Sequence, residues 1–293
     1  LIKDIARFKE ILSNPTLLMS IIKDELLEIK KTFADPRRTA VLDAEGDLEI
    51  EDLIADESMV ITVSNSGYIK RIATDVYRRQ KRGGRGITAM DTKEEDYVSQ
   101  LFIATTHNYL MLFTDRGQAH WLKVYAIPTG GRMARGRPIV NMVQLEQGEG
   151  ITAMLPVSDF SPDKYLAMIT RKGTIKKTAL SEFGNPRRVG IRAINLDEGD
   201  VLIDVQLTTG ADDIFIATRN GKAIRFSEKD VRAMGRTAAG VKAITLEGDD
   251  YVIGMCVVRD ENITMLTATE RGYGKRTVPV SYTHLTLPTK RIV

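Results

Sequence analysis

The residues in this chain best suited to chemistry are lysines and arginines, and they recur in register. Lys70-Arg71, His120-Trp121, Lys176-Lys177, Arg225 and Lys275-Arg276 stand three and four residues after a turn glycine. A second basic element follows in glycine-containing loops some 17 to 19 residues after the same glycine. These loops are Arg82-Gly83-Gly84-Arg85-Gly86, Arg135-Gly136-Arg137 with Arg132 beside it, Arg187-Arg188-Val189-Gly190, and Arg236 through Gly240. Ammonium and guanidinium groups repeated at fixed phase suit a polyanion: each neutralised phosphate releases counterions, and the contact carries little sequence information. Lysine and arginine also protect exposed edge strands from aggregation, and a single repeat does not separate the two roles. Recurrence in phase favours the phosphate surface.

Other chemistry is poorly provided for. Gly274-Lys275 is the nearest approach to a phosphate loop, but Thr269 stands where the first glycine is required and Arg276 where a hydroxyl should hold Mg²⁺. No Gly-x-Ser-x-Gly elbow or clustered acidic metal loop occurs, and His107, His120 and His284 lack ligand spacing. The single cysteine, Cys256, excludes an intramolecular disulfide, and its apolar neighbours Val252 to Val258 predict a buried small hydrophobe. Arg135-Gly136-Arg137-Pro138 matches the core of a minor-groove hook, yet it falls in register with the other loops and reads as one of them.

The elements that must position these residues are repeats. Ser64 to Gly67, Thr114 to Gly117, Thr170 to Gly173, Thr218 to Gly221 and Thr269 to Gly272 each place a hydroxyl residue three before a glycine, and the glycines are 50, 56, 48 and 51 residues apart. An apolar run precedes each turn, as in Met59 to Val63 or Ile214 to Ala217, and a shorter one follows, which predicts a β-hairpin. Units of this length with several strands each point to radially arranged blades, since one blade cannot bury both faces alone. On such a ring both basic elements would fall at equivalent heights on the rim and form a curved, DNA-binding band. Bending a duplex round it costs on the order of 1 to 6 kcal/mol, offset by further phosphate contacts.

Ahead of the repeats, Leu1, Ile5, Phe8 and Leu12, then Leu18, Ile22, Leu26, Ile29 and Phe33, fall at helical spacing. They predict two helices broken at Ser13-Asn14-Pro15, with Asn14 as N-cap, Pro15 at the first helical position and Asp35-Pro36 as the stop. Domains are accordingly expected at 1–34 (helical), 35–57 (acidic linker), 58–280 (blades) and 281–293, whose composition resembles translated adapter sequence and is set aside. Residues 1–57 carry 8 basic and 14 acidic side chains, whereas the whole chain is net +3, so the body is the basic part. With 43% apolar residues among 293, and neither a secretory leader nor an apolar run of membrane length, a folded, soluble, intracellular protein is expected.

Gln80-Lys81-Arg82-Gly83-Gly84-Arg85-Gly86 resembles the gyrase box, the signature of the C-terminal domain of the bacterial DNA gyrase A subunit. Phe33-Ala34-Asp35-Pro36-Arg37-Arg38-Thr39 resembles the end of that family's coiled-coil arm, so the resemblance runs to about residue 280. It implies a mainly β fold, a β-pinwheel of four-stranded blades that exchange strands, preceded by helices of the arm. It also implies sequence-nonspecific wrapping of double-stranded DNA with a fixed crossing sense, which directs ATP-driven negative supercoiling by the holoenzyme. Lys81, Arg82 and Arg85 would touch phosphates, and the glycines between them would let the backbone approach. ATP and Mg²⁺ belong to other parts of that enzyme. Its partners are the B subunit, together with a second copy of the A subunit; the chromosome in the cytoplasm is its place, and no membrane is involved. The family's DNA-cleaving tyrosine lies upstream of the arm, so this piece by itself would not be catalytic.

Two alternatives stand beside this. The related subunit of topoisomerase IV typically lacks an intact box, and a protein-binding propeller would show aromatic anchors, where this chain has 6% aromatic residues. Four complete blades and a cut fifth are expected.

Overall fold

A computed structural model describes residues 1–35, 39, 50–76, 96–131, 133–260, 262–269 and 271–279, with the backbone of 285–286. The chain forms two compact units, Leu1–Glu49 and Ile50–Val293.

In the first unit, α1 (Ile2–Ser13) and α2 (Pro15–Phe33) meet at Asn14, whose side chain accepts from the Thr16 and Leu17 amides at 3.1 and 3.4 Å. The cap satisfies amides that the first turn leaves without partners, and Pro15 opens the helix with no donor to lose. Phe8, Leu12, Leu26 and Phe33 are exposed within this unit.

The second unit is built of antiparallel sheets. Its strands are β1 (Ser58–Ser64), β2 (Tyr68–Ala73), β3 (Val98–Thr105), β4 (Tyr109–Thr114), β5 (Gln118–Lys123), β6 (Arg137–Pro138), β7 (Ile151–Val157), β8 (Tyr165–Thr170) and β9 (Thr174–Ala179). They continue as β10 (Ile191–Arg192), β11 (Leu202–Thr208), β12 (Asp213–Thr218), β13 (Lys222–Ser227), β14 (Val241–Lys242), β15 (Val252–Val258), β16 (Met265–Ala268), β17 (Gly274–Thr277) and β18 (Leu285–Thr286). Among the described residues four sheets have four strands each, ordered β3-β1-β2-β6, β10-β5-β4-β7, β11-β8-β9-β14 and β15-β12-β13-β18, and a fifth pairs β16 with β17.

Each hairpin closes in the same way. The glycine amide donates to the hydroxyl residue's carbonyl, from Gly67 to Ser64 at 3.0 Å and from Gly173 to Thr170 at 3.1 Å, and the glycine takes positive φ, +79° and +86° in these two. This is a turn followed by a left-handed glycine, a geometry that joins twisted strands without splaying them. The hydroxyl then accepts from the amide four residues on: Tyr68 to Ser64, Gln118 to Thr114, Thr174 to Thr170 and Lys222 to Thr218, at 3.1 to 3.2 Å. The recurring Ser or Thr is thus a backbone acceptor that locks the turn.

Central strands are covered on both faces, and alternate residues enter successive cores. Leu110 and Leu112 pack with the first sheet's Ile61 and Ile69, while Met111 and Phe113 between them pack with Leu166 and Met168 of the third. Ala167 and Ile169 turn to Ile214 and Ile216 of the fourth. The fourth strand of each sheet comes from the next repeat: β6 returns to β2, β10 to β5 and β14 to β9. Leu285–Thr286, in the stretch set aside on composition, pairs with β13 at the equivalent place.

Residues Ile50–Glu57, read from composition as linker, lie in the second unit: Lys123 Nζ meets Glu51 Oε1 at 2.7 Å, and Thr106 Oγ1 donates to the Ala55 carbonyl at 2.7 Å. Cys256 corrects the expectation of a buried thiol. It is exposed on β15, where only Val252, Met255 and Val258 of the apolar run are buried.

Candidate nucleic-acid interface

The second basic elements lie where strands are exchanged. Gly136, Gly190 and Gly240 take φ of +82°, +77° and +109° as each chain segment drops onto the neighbouring sheet. A Cβ on Gly136 would lie 2.3 Å from the Ile69 carbonyl oxygen, and one on Gly240 2.5 Å from that of Ile175. At Gly190 it would lie 2.6 Å from His120 Cε1. These glycines therefore have no substitute that leaves the strand in place. Just beyond the exchange strands, the Ile139, Ala193 and Ala243 amides donate to the carbonyls of the hairpin glycines Gly67, Gly117 and Gly173 at 2.8 to 2.9 Å. Arginines flank these anchored segments. Arg135, Arg137, Arg187 and Arg188 are exposed, and Arg236 is half-buried, its amide donating to Glu182 Oε2 at 3.3 Å and its Nε 3.9 Å from the same oxygen.

The first basic element has a different task. Lys70 and Lys176 are fully buried and Lys177 nearly so. Lys70 Nζ donates to the Gly131 carbonyl at 3.2 Å, and Lys176 Nζ to Ala193 at 2.7 Å and to the Arg236 carbonyl. Lys177 Nζ donates to the Glu228 carbonyl at 2.7 Å and lies 3.9 Å from the Glu228 carboxylate. Arg71 Nε donates to Ile127 at 2.7 Å. Arg225 holds Asp213 through Nε at 2.8 Å and Nη2 at 2.7 Å, and donates to the Pro279 carbonyl. The expectation that Lys70, Arg71, Lys176, Lys177 and Arg225 meet phosphates is thereby corrected for the three lysines, whose nitrogens lie inside the blades. Arg71 and Arg225 are likewise committed to the interior. The acceptors Gly131, Ile127, Arg236 and Glu228 come from the following repeat and are invisible to any pattern within one repeat, whereas Ala193 and Asp213 lie in the same repeat as Lys176 and Arg225.

Burial lowers the affinity of these sites for a proton. It holds Lys70 below the usual lysine range and brings Lys176 down to about 8, with Arg236 working in the same direction and Glu182 against it. His120 occupies the equivalent position in the second repeat; burial lowers its pKa, with Glu149 working against it.

Lys275 and Arg276 are exposed on β17. Gln80, Lys81, Arg82, Gly83, Gly84, Arg85 and Gly86, and also Arg132, lie outside the described residues. One recurring device was missed from the sequence. Asp96, Asp200 and Asp250 each accept from a hairpin-turn amide, of Ser66, Lys172 and Asn220, at 2.9 to 3.0 Å, and from the amide of the residue that follows them. In the second repeat the arrangement is reversed: Asp115 in the turn accepts from Gly150 at 3.1 Å. The signal was an aspartate 27 to 29 residues after the turn glycine in three repeats.

Four-stranded antiparallel blades that take their last strand from the following repeat, with arginine-bearing loops at the exchange, define a β-pinwheel of the propeller class. A family model described as "DNA gyrase C-terminal domain, beta-propeller" matches residues 58–105, 108–158, 164–209, 212–259 and 264–278, and the chain belongs to this family. The DNA gyrase A subunit of Salmonella typhimurium is 47% identical over 265 residues, covering 90% of this chain and 30% of that protein. That of Clostridium acetobutylicum is 50% identical over 242 residues, covering 83% and 29%. The chain thus spans about 30% of the length of these relatives. Among solved structures, the C-terminal domain of DNA topoisomerase IV aligns with a TM-score of 0.66 at 29% identity, covering 78% of this chain and 71% of that one. The DNA gyrase A C-terminal domain aligns with a TM-score of 0.60 at 25% identity, covering 75% and 71%. Among the described residues, no helix is long and apolar enough to cross a membrane.

Proposed function

We propose that this chain binds double-stranded DNA without sequence preference and wraps it chirally along its exchange loops. The observation that carries this reading is the recurrence of exposed Arg135, Arg137, Arg187 and Arg188 beside glycines that dock at equivalent positions on successive sheets. A row of cations at equal phase on consecutive blades matches a backbone that presents phosphates at regular intervals. The box residues Lys81, Arg82 and Arg85 are read as further phosphate contacts, as are the exposed Lys275 and Arg276. Within a full-length gyrase A subunit, paired with a second copy and joined by the B subunit, the wrap would present a second duplex segment for ATP-driven, Mg²⁺-dependent strand passage toward negative supercoiling. That work is done on the chromosome in the cytoplasm. The intact box motif favours gyrase over topoisomerase IV, whose domain shares the fold.

The test seals a nicked plasmid with ligase in the presence of increasing amounts of the chain. A linking-number change of constant sign is expected, and it disappears when Lys81, Arg82 and Arg85 are all alanine. Salt-dependent binding with no linking change would overturn wrapping, and no binding at all would turn the reading to a protein-interaction propeller.

A further inference from the structure

We infer that Lys176 is a positioning residue for the basic loop that carries Arg236: from inside β9 it grips main-chain oxygens and fixes where that loop is presented. The inference rests on the reading of the exchange loops as a DNA surface.

Lys176 has no exposed surface, and its ammonium sits between two carbonyls of different origin. Ala193 follows β10, the strand that the third repeat lends to the second sheet, and Arg236 precedes β14, which the fourth repeat lends to the third. One cation therefore ties two successive exchange segments. Asn195 joins the same contact, its amide donating to the Ala238 carbonyl at 3.2 Å and its side chain to that of Thr237. A buried ammonium is expensive unless its hydrogens are matched, and an apolar side chain of similar length would fill the space without that penalty. What the ammonium adds is direction, because it selects the carbonyl geometry of the loop. The same solution appears in the first repeat, where buried Lys70 holds Gly131 at the start of the loop bearing Arg135 and Arg137. Among the described residues the charged groups acting on Lys176 are Glu182 and Arg236, and Glu182 is already engaged by the Arg236 amide.

The test is a double-mutant cycle on the whole chain, with Lys176→Met, Arg236→Ala and both together, read by affinity for a linear random-sequence duplex across a salt series. Each single variant is expected to lower the slope of log affinity against log salt by about 1. The double variant is expected to fall no further than either, since Lys176 acts through the loop. Hydrogen exchange without DNA is read in parallel, and in Lys176→Met the amides of residues 237–241 should exchange at least about tenfold faster while those of β8 keep their protection. Additive losses in the cycle, or unchanged loop exchange, would overturn the proposal. If Lys176→Met does not fold, Lys70→Met with Arg135→Ala provides the same cycle in the first repeat, with the same two outcomes. A wild-type chain that fails to bind the duplex at all would overturn the DNA reading and this role with it, whereas loop exchange would still report on the grip alone.

Discussion

Gly136 passes so close to Ile69 that a single methyl group on its Cα would lie 2.3 Å from the Ile69 carbonyl oxygen. That proximity lets a two-residue strand from one repeat finish the sheet of the repeat before it. Gly136→Ala should therefore both force a left-handed alanine and push β6 off β2, lowering stability by about 2 kcal/mol or more. Gly67→Ala, with a similar φ of +79° but nothing within 4 Å of the added carbon, should show the backbone strain alone, about 1 kcal/mol. Urea unfolding of the two variants measures the difference.

Thr170 is buried, and its hydroxyl accepts from the Thr174 amide at 3.1 Å. Thr170→Val keeps the shape and leaves that amide without its acceptor, so a loss of about 1 to 3 kcal/mol is expected. Thr170→Ser, which retains the oxygen, should lose less than Thr170→Val in the same denaturation series.

Lys176 supplies a pH dependence. Its pKa is lowered from 10.5 to about 8 in the folded chain, so between pH 8 and 10.5 the unfolded chain binds more protons than the folded one. The contribution of this group to stability rises with pH through that window and is unfavourable below it, on the order of 3 kcal/mol across the full range. The stability difference between the wild type and Lys176→Met, measured by urea titration at pH 7 and pH 10, should shift in favour of the wild type at the higher pH. An amine that loses its proton still donates two hydrogens, so the carbonyls remain matched.

Exposed and interior arginines should separate cleanly. Arg135→Ala together with Arg137→Ala is expected to lower the salt slope of duplex binding by about 2, with little change in melting temperature. Arg225→Ala removes the partner of Asp213 and a donor to Pro279, and should lower stability by about 1 to 3 kcal/mol with little change in the slope. Thermal melting and a salt series on the same two proteins distinguish the outcomes.

Much of this architecture is written locally. Asn14-Pro15 specifies a helix start, and Thr170 to Gly173 specifies a turn, because the partner groups lie within four residues. The phase of the arginine loops was legible for the same reason, since a repeat is visible wherever it recurs along the chain. The exchange strands Arg137–Pro138, Ile191–Arg192 and Val241–Lys242 are too short to carry a period of two, and their partners Ile69, Ala119 and Ile175 lie some 66 to 72 residues upstream. The family resemblance implied exchange without saying which residues make it. Separations of 61 and 60 residues hid the role of Lys70 toward Gly131 and of Lys176 toward Arg236: a lysine after a turn looks like a surface charge until a connector from the following repeat brings a carbonyl oxygen over it. Cys256 misled in the opposite sense, since an apolar run reads as interior, yet in the folded strand Val252, Met255 and Val258 are buried while Cys256 is exposed. The sequence by itself thus determined the hairpins, the helix pair and the spacing of charge, all of which depend on neighbours along the chain. Tertiary structure decided which charges face outward, because a cation's environment is made by groups that only folding brings together.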